Sequence, residues 1–308
     1  RHKIQHRSHA CCDSRSCAVK SLTIATTWGT KYWPEPVRPC VESTVRNWPE
    51  HAKILLYPDD MSQQIQLDRV EYVDLCQAQP ELKQFIDRHK DNAELNPRIT
   101  QSKQEMKGFD KDTSVYVYDA VRFSYKVFAC IDAYQRTKPD MLWFLDADLL
   151  TFEKIPMQWL EHIIPDRAFT SYLGRPKKGF SETGYYAFNT AHPRADEFFK
   201  RWKQYYTEDL FFNIQKGFLN HFPIAGYTDS FTFDAVRIEM EQAGKIQNED
   251  LNDGRWAGER KARHPFINSE LGQYMDHMKG YSRKSQMSSK RRDLTTKQTH
   301  PYWKTLKD

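Results

Sequence analysis

Two carboxylates stand one residue apart in FLDADLLTF, residues 144–152: Asp146 and Asp148, directly behind the apolar run MLWFL. In an extended segment residues i and i+2 project to the same side, so the pair can converge while Ala147 points away. Two close carboxylates repel each other unless a proton is shared or a cation sits between them. A hard divalent cation with oxygen ligands, Mg2+ or Mn2+, suits such a pair and takes phosphate oxygens at its open positions. The plainer reading is that one Asp caps the next segment and the other is solvated.

The elements that must carry this pair read as an α/β domain. SLTIATTW (21–28) is β-branched, apolar and followed by Gly29, a first central strand running into a loop. VRPCVESTVRNWPEH spaces Val37, Val41, Val45 and Trp48 as a helix, and KILLYPDD (53–60) is a second buried strand. RVEYVDL reads as a third, shorter strand. DAVRFSYKVFACIDAYQ (119–135) lines Val121, Tyr125, Phe128 and Ile131 along one face of a core helix, and MLWFL is the buried strand after it. AFTSYL and GYYAFNT read as further strands, and ADEFFKRWKQYYTEDLF and DSFTFDAVRIEMEQAG as helices. Strand, helix, strand in this order begins a mostly parallel sheet flanked by helices. The pair then falls beyond the carboxyl end of a strand, where open α/β sheets place their ligands.

The whole chain agrees with one large domain. Its 308 residues are 39% hydrophobic and 14% aromatic, enough to build a sizeable core. We divide it into a basic N-terminal tail (1–20), a domain over 21–285, and a basic polar extension (286–308) without a clear packing face. The net charge of +5 sits largely at those ends. No apolar stretch is long enough for a membrane span, and RHKIQHRSHACCDSRSC lacks the apolar region of a signal peptide. Cys76 and Cys130 lie in apolar segments, and Cys11, Cys12 and Cys17 cluster without matching zinc-site partners. A reducing, cytoplasmic setting is the default, with an upstream stem or anchor left open.

An apolar strand entering D-x-D resembles the metal-binding motif of nucleotide-sugar glycosyltransferases of the GT-A fold, and other landmarks stand in order around it. SLTIATTW resembles the first strand of that fold, whose end (Thr26, Thr27, Trp28) meets the nucleotide. The helix before the motif carries Arg122 and Lys126, where relatives often place a basic residue on the donor diphosphate. ETGYYAFNT resembles the segment that lines the sugar and acceptor site, which implies Gly184, Tyr185 and Asn189 there. MDHMKGYSRK is similar to the H-x-x-G-x-x-K element of glycogenin-like retaining transferases. That likeness implies His277 as third metal ligand to Asp146 and Asp148, with Arg283 at the family's lysine position and Lys284 beside it. Asp146, Ala147, Arg283 and Lys284 thus join the implied donor site, and the implied outcome is hexosyl transfer with retention. The likeness spans roughly residues 20–285.

The residue types suit that chemistry. Cleaving a sugar–diphosphate bond builds charge on the leaving group, which a divalent ion and nearby cations stabilise. The sugar becomes oxocarbenium-like, so a carboxylate close by assists. Glu182, Asp229 and Asp234 are the candidates, although Asp229 also sits where a helix N-cap would stand. Trp28, Tyr32 and Trp33, after the first strand, are placed to stack on a base. Two rival readings share the motif or the charge. A haloacid-dehalogenase-type phosphatase would use Asp146 as nucleophile, but its motif opens the domain and wants Thr where Leu150 stands. A nucleic-acid-binding module would use the basic ends, yet no helix-turn-helix, zinc-finger or RNP pattern appears, so no nucleic acid is expected.

Overall fold

The computed structural model describes residues 19–99, 119–175, 180–213, 226–252 and 264–307. The N-terminal tail, with its Cys11, Cys12 and Cys17 cluster, lies outside the described residues apart from Val19 and Lys20.

Seven strands form the central sheet: β1 Leu22–Trp28, β2 Lys53–Pro58, β3 Val70–Tyr72, β4 Met141–Leu145, β6 Thr170–Leu173, β7 Glu182–Asn189 and β8 Asn248–Asp250. Their order is β3-β2-β1-β4-β7-β6-β8. The pairs β1–β2, β1–β4, β2–β3 and β6–β8 are parallel, and β7 runs antiparallel to both β4 and β6. The α/β class and the mostly parallel sheet flanked by helices are therefore as expected, with β7 the one reversed strand among the described residues. The pairing of β7 with β6 shifts register between Ser171 and Leu173. Two strands too short for a periodic signal, β5 Leu149–Thr151 and β9 Met275–His277, form a separate antiparallel ribbon.

Period-two alternation along the central strands divides the core into two halves. Ala25, Leu142 and Phe144 face one cluster, which they share with Phe128, Trp202 and Phe233. Leu22, Ile24, Met141, Trp143 and Leu145 face the other, with Val41, Leu160 and Phe266. The first half is covered by α3 Pro80–His89, α4 Ala120–Thr137, α6 Ala195–Thr207 and α7 Asp229–Gln242; the second by α1 Val37–Asn47, α5 Met157–Ile163 and α8 Pro265–Asn268. α2 is the single turn Leu75–Ala78. Capping fixes where the two helices nearest the carboxylates begin. The Asp119 carboxylate accepts from the Arg122 amide at the head of α4, and the Thr228 hydroxyl accepts from the Phe231 amide at the head of α7.

Residues beyond 285 have a packing face after all. Trp303 is buried against the second core half, together with Leu294, Tyr302 and Leu306 at its margin, and its indole donates to the Gly272 carbonyl at 2.8 Å. Short 3-10 turns at Arg291–Asp293 and Pro301–Lys304 carry it, so no helical period betrays it in the sequence.

Candidate metal centre

β4 ends at Leu145, and the chain turns at once. The Leu149 amide donates to the Asp146 carbonyl at 3.0 Å, so Asp146 and Asp148 lie in a tight turn rather than an extended segment. They converge because the turn folds them together, not because of strand alternation. β5 then pairs with β9 in a register that sets Leu149 opposite His277, and the Met278 amide donates to the Asp148 carbonyl at 3.0 Å. The imidazole is thereby delivered onto the carboxylates.

His277 Nε2 lies 3.5 Å from Asp146 Oδ2 and 3.3 Å from Asp148 Oδ1. The three ligand atoms all lie within 4.8 Å of one another. Two carboxylate oxygens and an imidazole nitrogen gathered this closely are a ligand set that could hold one divalent ion. The outer oxygen of each carboxylate is taken by a lysine. Lys126 Nζ lies 2.7 Å from Asp146 Oδ1, and Lys284 Nζ lies 2.6 Å from Asp148 Oδ2. Burial pushes the Asp148 carboxyl up, but Lys284 and His277 outweigh it and hold it well below the usual carboxylate range.

Behind the imidazole stands Glu182, itself buried. Its Oε1 lies 3.5 Å from His277 Nδ1, and Nδ1 has no hydrogen-bond partner among the described residues. Lys279 and Arg175 clamp the other oxygen, Oε2. They hold Glu182 far below its ordinary pKa despite burial. Gly184, two residues on, makes room for the ring: a Cβ there would fall 2.3 Å from both Cε1 and Nδ1 of His277. Its carbonyl also accepts from the Asp146 amide at 2.9 Å, which ties β7 to the metal turn.

Lys126 is buried between two carboxylates, Asp146 and Asp229 (3.0 Å), and donates to the Thr183 carbonyl. Burial opposes its charge, but the two acids raise its pKa above the usual lysine range. One helical turn earlier on the same face of α4, Arg122 reaches the Tyr32 hydroxyl at 3.0 Å. Lys284 lies over the same Tyr32 ring, 4.6 Å from its centroid. Burial raises the phenol pKa, and Arg122, Lys284 and Lys31 more than reverse this. A cationic lip with one aromatic ring thus borders the carboxylates.

The remaining sequence candidates fall in several places. Asp146, Asp148, His277, Lys126, Lys284, Glu182, Asp229 and Gly184 are brought together, and Ala147 lies in the turn among them. Thr26, on the edge of the sheet's carboxyl end, is buried with its hydroxyl unpartnered among the described residues. Thr27 spends its hydroxyl on the Tyr57 carbonyl. Trp28 is buried, stacked on Trp33 with centroids 5.9 Å apart, and donates to Gln63. Arg283 places its guanidinium on Asp293 at 2.6 Å, whereas Lys284 reaches Asp148. Asp234 is fully buried and accepts from the Ser181 amide and hydroxyl and from Arg237. Asp229 is likewise buried, under Lys126 and the Tyr186 hydroxyl. With Glu182 clamped, all three carboxylates expected to assist the sugar act as internal braces here. Tyr185 points into the second core half beside Trp143 and Phe266. Asn189 pairs with Met141, at the far end of β4 from Asp146. At about 3.4 Å per residue it lies well beyond reach of the centre.

Sequence reasoning missed Lys279, although it stands two residues from His277 in MDHMKG, and Arg175, for which the sequence holds no signal.

No protein-family model matches the chain, and no curated protein matches it. Among solved structures it is similar to mouse xyloside xylosyltransferase 1 in its apo form, at 11% identity and a TM-score of 0.42, over 75% of this chain and 85% of that one. It is also similar to the glycosyltransferase GlyE of Streptococcus pneumoniae TIGR4 in its apo form, at 13% identity and a TM-score of 0.40, over 80% of this chain. The chain spans about half, 51%, of the length of GlyE.

Proposed function

We propose that this chain is a metal-dependent glycosyltransferase, moving a hexosyl group from a nucleotide-diphosphate sugar to an acceptor hydroxyl with retention of configuration. The observation that carries the reading is the convergence of one oxygen each from Asp146 and Asp148 on His277 Nε2. Its setting at the carboxyl end of the sheet, beside Lys284, Arg122 and Tyr32, suits a phosphorylated ligand. The order of the landmarks SLTIATTW, FLDADLL, ETGYYAFN and MDHMKG along the chain supports the same reading.

A bound Mn2+ or Mg2+ would serve as the Lewis acid for charge developing on the leaving diphosphate. The chain's own residues prepare that seat. Lys126 holds Asp146 from behind, Glu182 stands beside the ring of His277, and Gly184 lets the ring approach. Lys284 and Arg122 add positive charge at the rim, where the phosphates would lie. Tyr32 stands between them, its hydroxyl on Arg122 and its ring under Lys284 and Lys31.

Testing needs a screen of nucleotide sugars with Mn2+, read by thermal shift and by donor hydrolysis. One donor should raise the unfolding temperature and be hydrolysed only with the ion present, and Asp148→Ala should abolish both. A folded Asp148→Ala protein with undiminished metal-dependent hydrolysis would sink the reading. Cleavage of simple phosphomonoesters instead would favour a phosphatase with Asp146 as nucleophile.

A further inference from the structure

The carboxylates at the centre are already answered by internal cations. Asp146, Asp148, Asp229 and Glu182 face Lys126, Lys284, Lys279 and Arg175, four acids against four bases. An arriving divalent ion therefore meets a seat of the right shape but little net negative charge. Shape alone is a poor recruiter for an ion that must shed water.

The two lysines on the aspartates differ in freedom. Lys126 is buried and held by two carboxylates and a backbone carbonyl. Lys284 has a single carboxylate within ion-pair distance among the described residues, and its side chain is 22% exposed against 10% for Lys126. It sits on the short helix α9, Tyr281–Gln286, entered through Gly280 at φ +81° and anchored by Arg283 on Asp293. Its ammonium also lies above Tyr32, so it stands where the metal seat meets the Arg122 rim.

We propose that Lys284 is a built-in counter-ion that suppresses capture of a bare divalent cation by Asp148 and makes cation binding depend on a diphosphate arriving with it. This rests on the metal-dependent reading above. A diphosphate supplies the negative charge that the seat lacks and gives Lys284 a second anion to serve. The ion and the diphosphate are then taken up as a pair, each strengthening the other by the same factor.

The experiment is calorimetric titration of the full chain with Mn2+ alone and with Mn2+ in the presence of inorganic pyrophosphate. Wild type should bind bare Mn2+ weakly and gain on the order of ten-fold or more with pyrophosphate. Lys284→Met should bind bare Mn2+ roughly ten-fold tighter, as expected for removing a positive charge a few ångströms away, and lose most of the pyrophosphate gain. Lys284→Arg should stay close to wild type. Lys284→Gln carries the same expectation as Lys284→Met should that variant fail to fold. If Mn2+ binds, Asp148→Asn abolishes it, and the uncharged Lys284 variants bind it no tighter than wild type, the counter-ion proposal falls while the metal reading stands. If Mn2+ binds neither alone nor with pyrophosphate, both fall.

Discussion

Gly184 and His277 occupy one another's space: the hydrogen on the Gly184 α-carbon points where a methyl group would sit 2.3 Å from the imidazole. Gly184 does not adopt a positive φ, so its importance here is volume and not backbone strain. Gly184→Ala should displace the ring or push β7 from β4, costing about 1–3 kcal/mol of stability, as overpacking does. Affinity for Mn2+, measured with pyrophosphate present, should fall at least ten-fold. A variant with wild-type metal affinity would show that the ring position is not needed.

Lys126 should be the most sensitive cation of the centre. Removing one partner of a buried ion pair leaves charge stranded, at a cost of about 3–5 kcal/mol. Lys126→Met should therefore unfold at much lower urea concentration than wild type. The double variant Lys126→Met/Asp229→Asn should recover part of the loss, since one stranded charge is removed. No recovery would place the main role of Lys126 at Asp146.

The segment after residue 285 should prove necessary for the centre. Asp276, next to His277 on β9, accepts from the Ser289 amide (2.7 Å) and hydroxyl (2.5 Å) and from the Tyr302 hydroxyl (2.7 Å). Trp303→Ala should cost about 3–5 kcal/mol as a buried aromatic truncation. Tyr302→Phe, a smaller change, should cost about 1–3 kcal/mol by leaving a buried acceptor short of one donor. Both should weaken Mn2+ binding, measured at a temperature where each is folded.

The Arg283–Asp293 pair should contribute to acid sensitivity. Burial raises the Asp293 carboxyl, and Arg283 and the Lys290 amide more than offset this, leaving its folded pKa below the ordinary value. A depressed folded pKa stabilises the protein above the unfolded value near 4, and that contribution is lost as pH falls below it. Asp293→Asn should thus lower stability at pH 7 and flatten the decline between about pH 5 and 3. An unchanged slope in urea titrations across that range would contradict this.

Much of the fold was legible because its central strands are long, β-branched and apolar, and its core helices carry clear faces. The three candidate metal ligands were legible as well, since D-x-D behind MLWFL and the histidine of MDHMKG stand out chemically. The reason for their convergence was not. The turn at Asp146 and the ribbon of LLT with MDH are three-residue features, below any period that a sequence shows. Asn189 was misplaced because it shares a strand with Gly184, and only the antiparallel direction of β7 reveals that it leads away from the centre. The inward turn of Trp28, onto Trp33 and Gln63, was not legible either. The choice between Arg283 and Lys284 required the helix turn behind Gly280, and the packing of Trp303 comes through 3-10 turns.

The pairing of Leu149 with His277 joins parts of the chain that lie far apart in sequence. Closing so long a loop carries an entropy cost that three-residue strands offset only weakly. An ion shared between the turn at Asp148 and the end of β9 would therefore work as a clasp on the fold. It would bind the native chain and not the unfolded one, so its concentration would set the unfolding midpoint, adding about 2.7 kcal/mol at a hundred times its dissociation constant. Chelation should then loosen the C-terminal third of the domain, well beyond the three side chains that touch the ion.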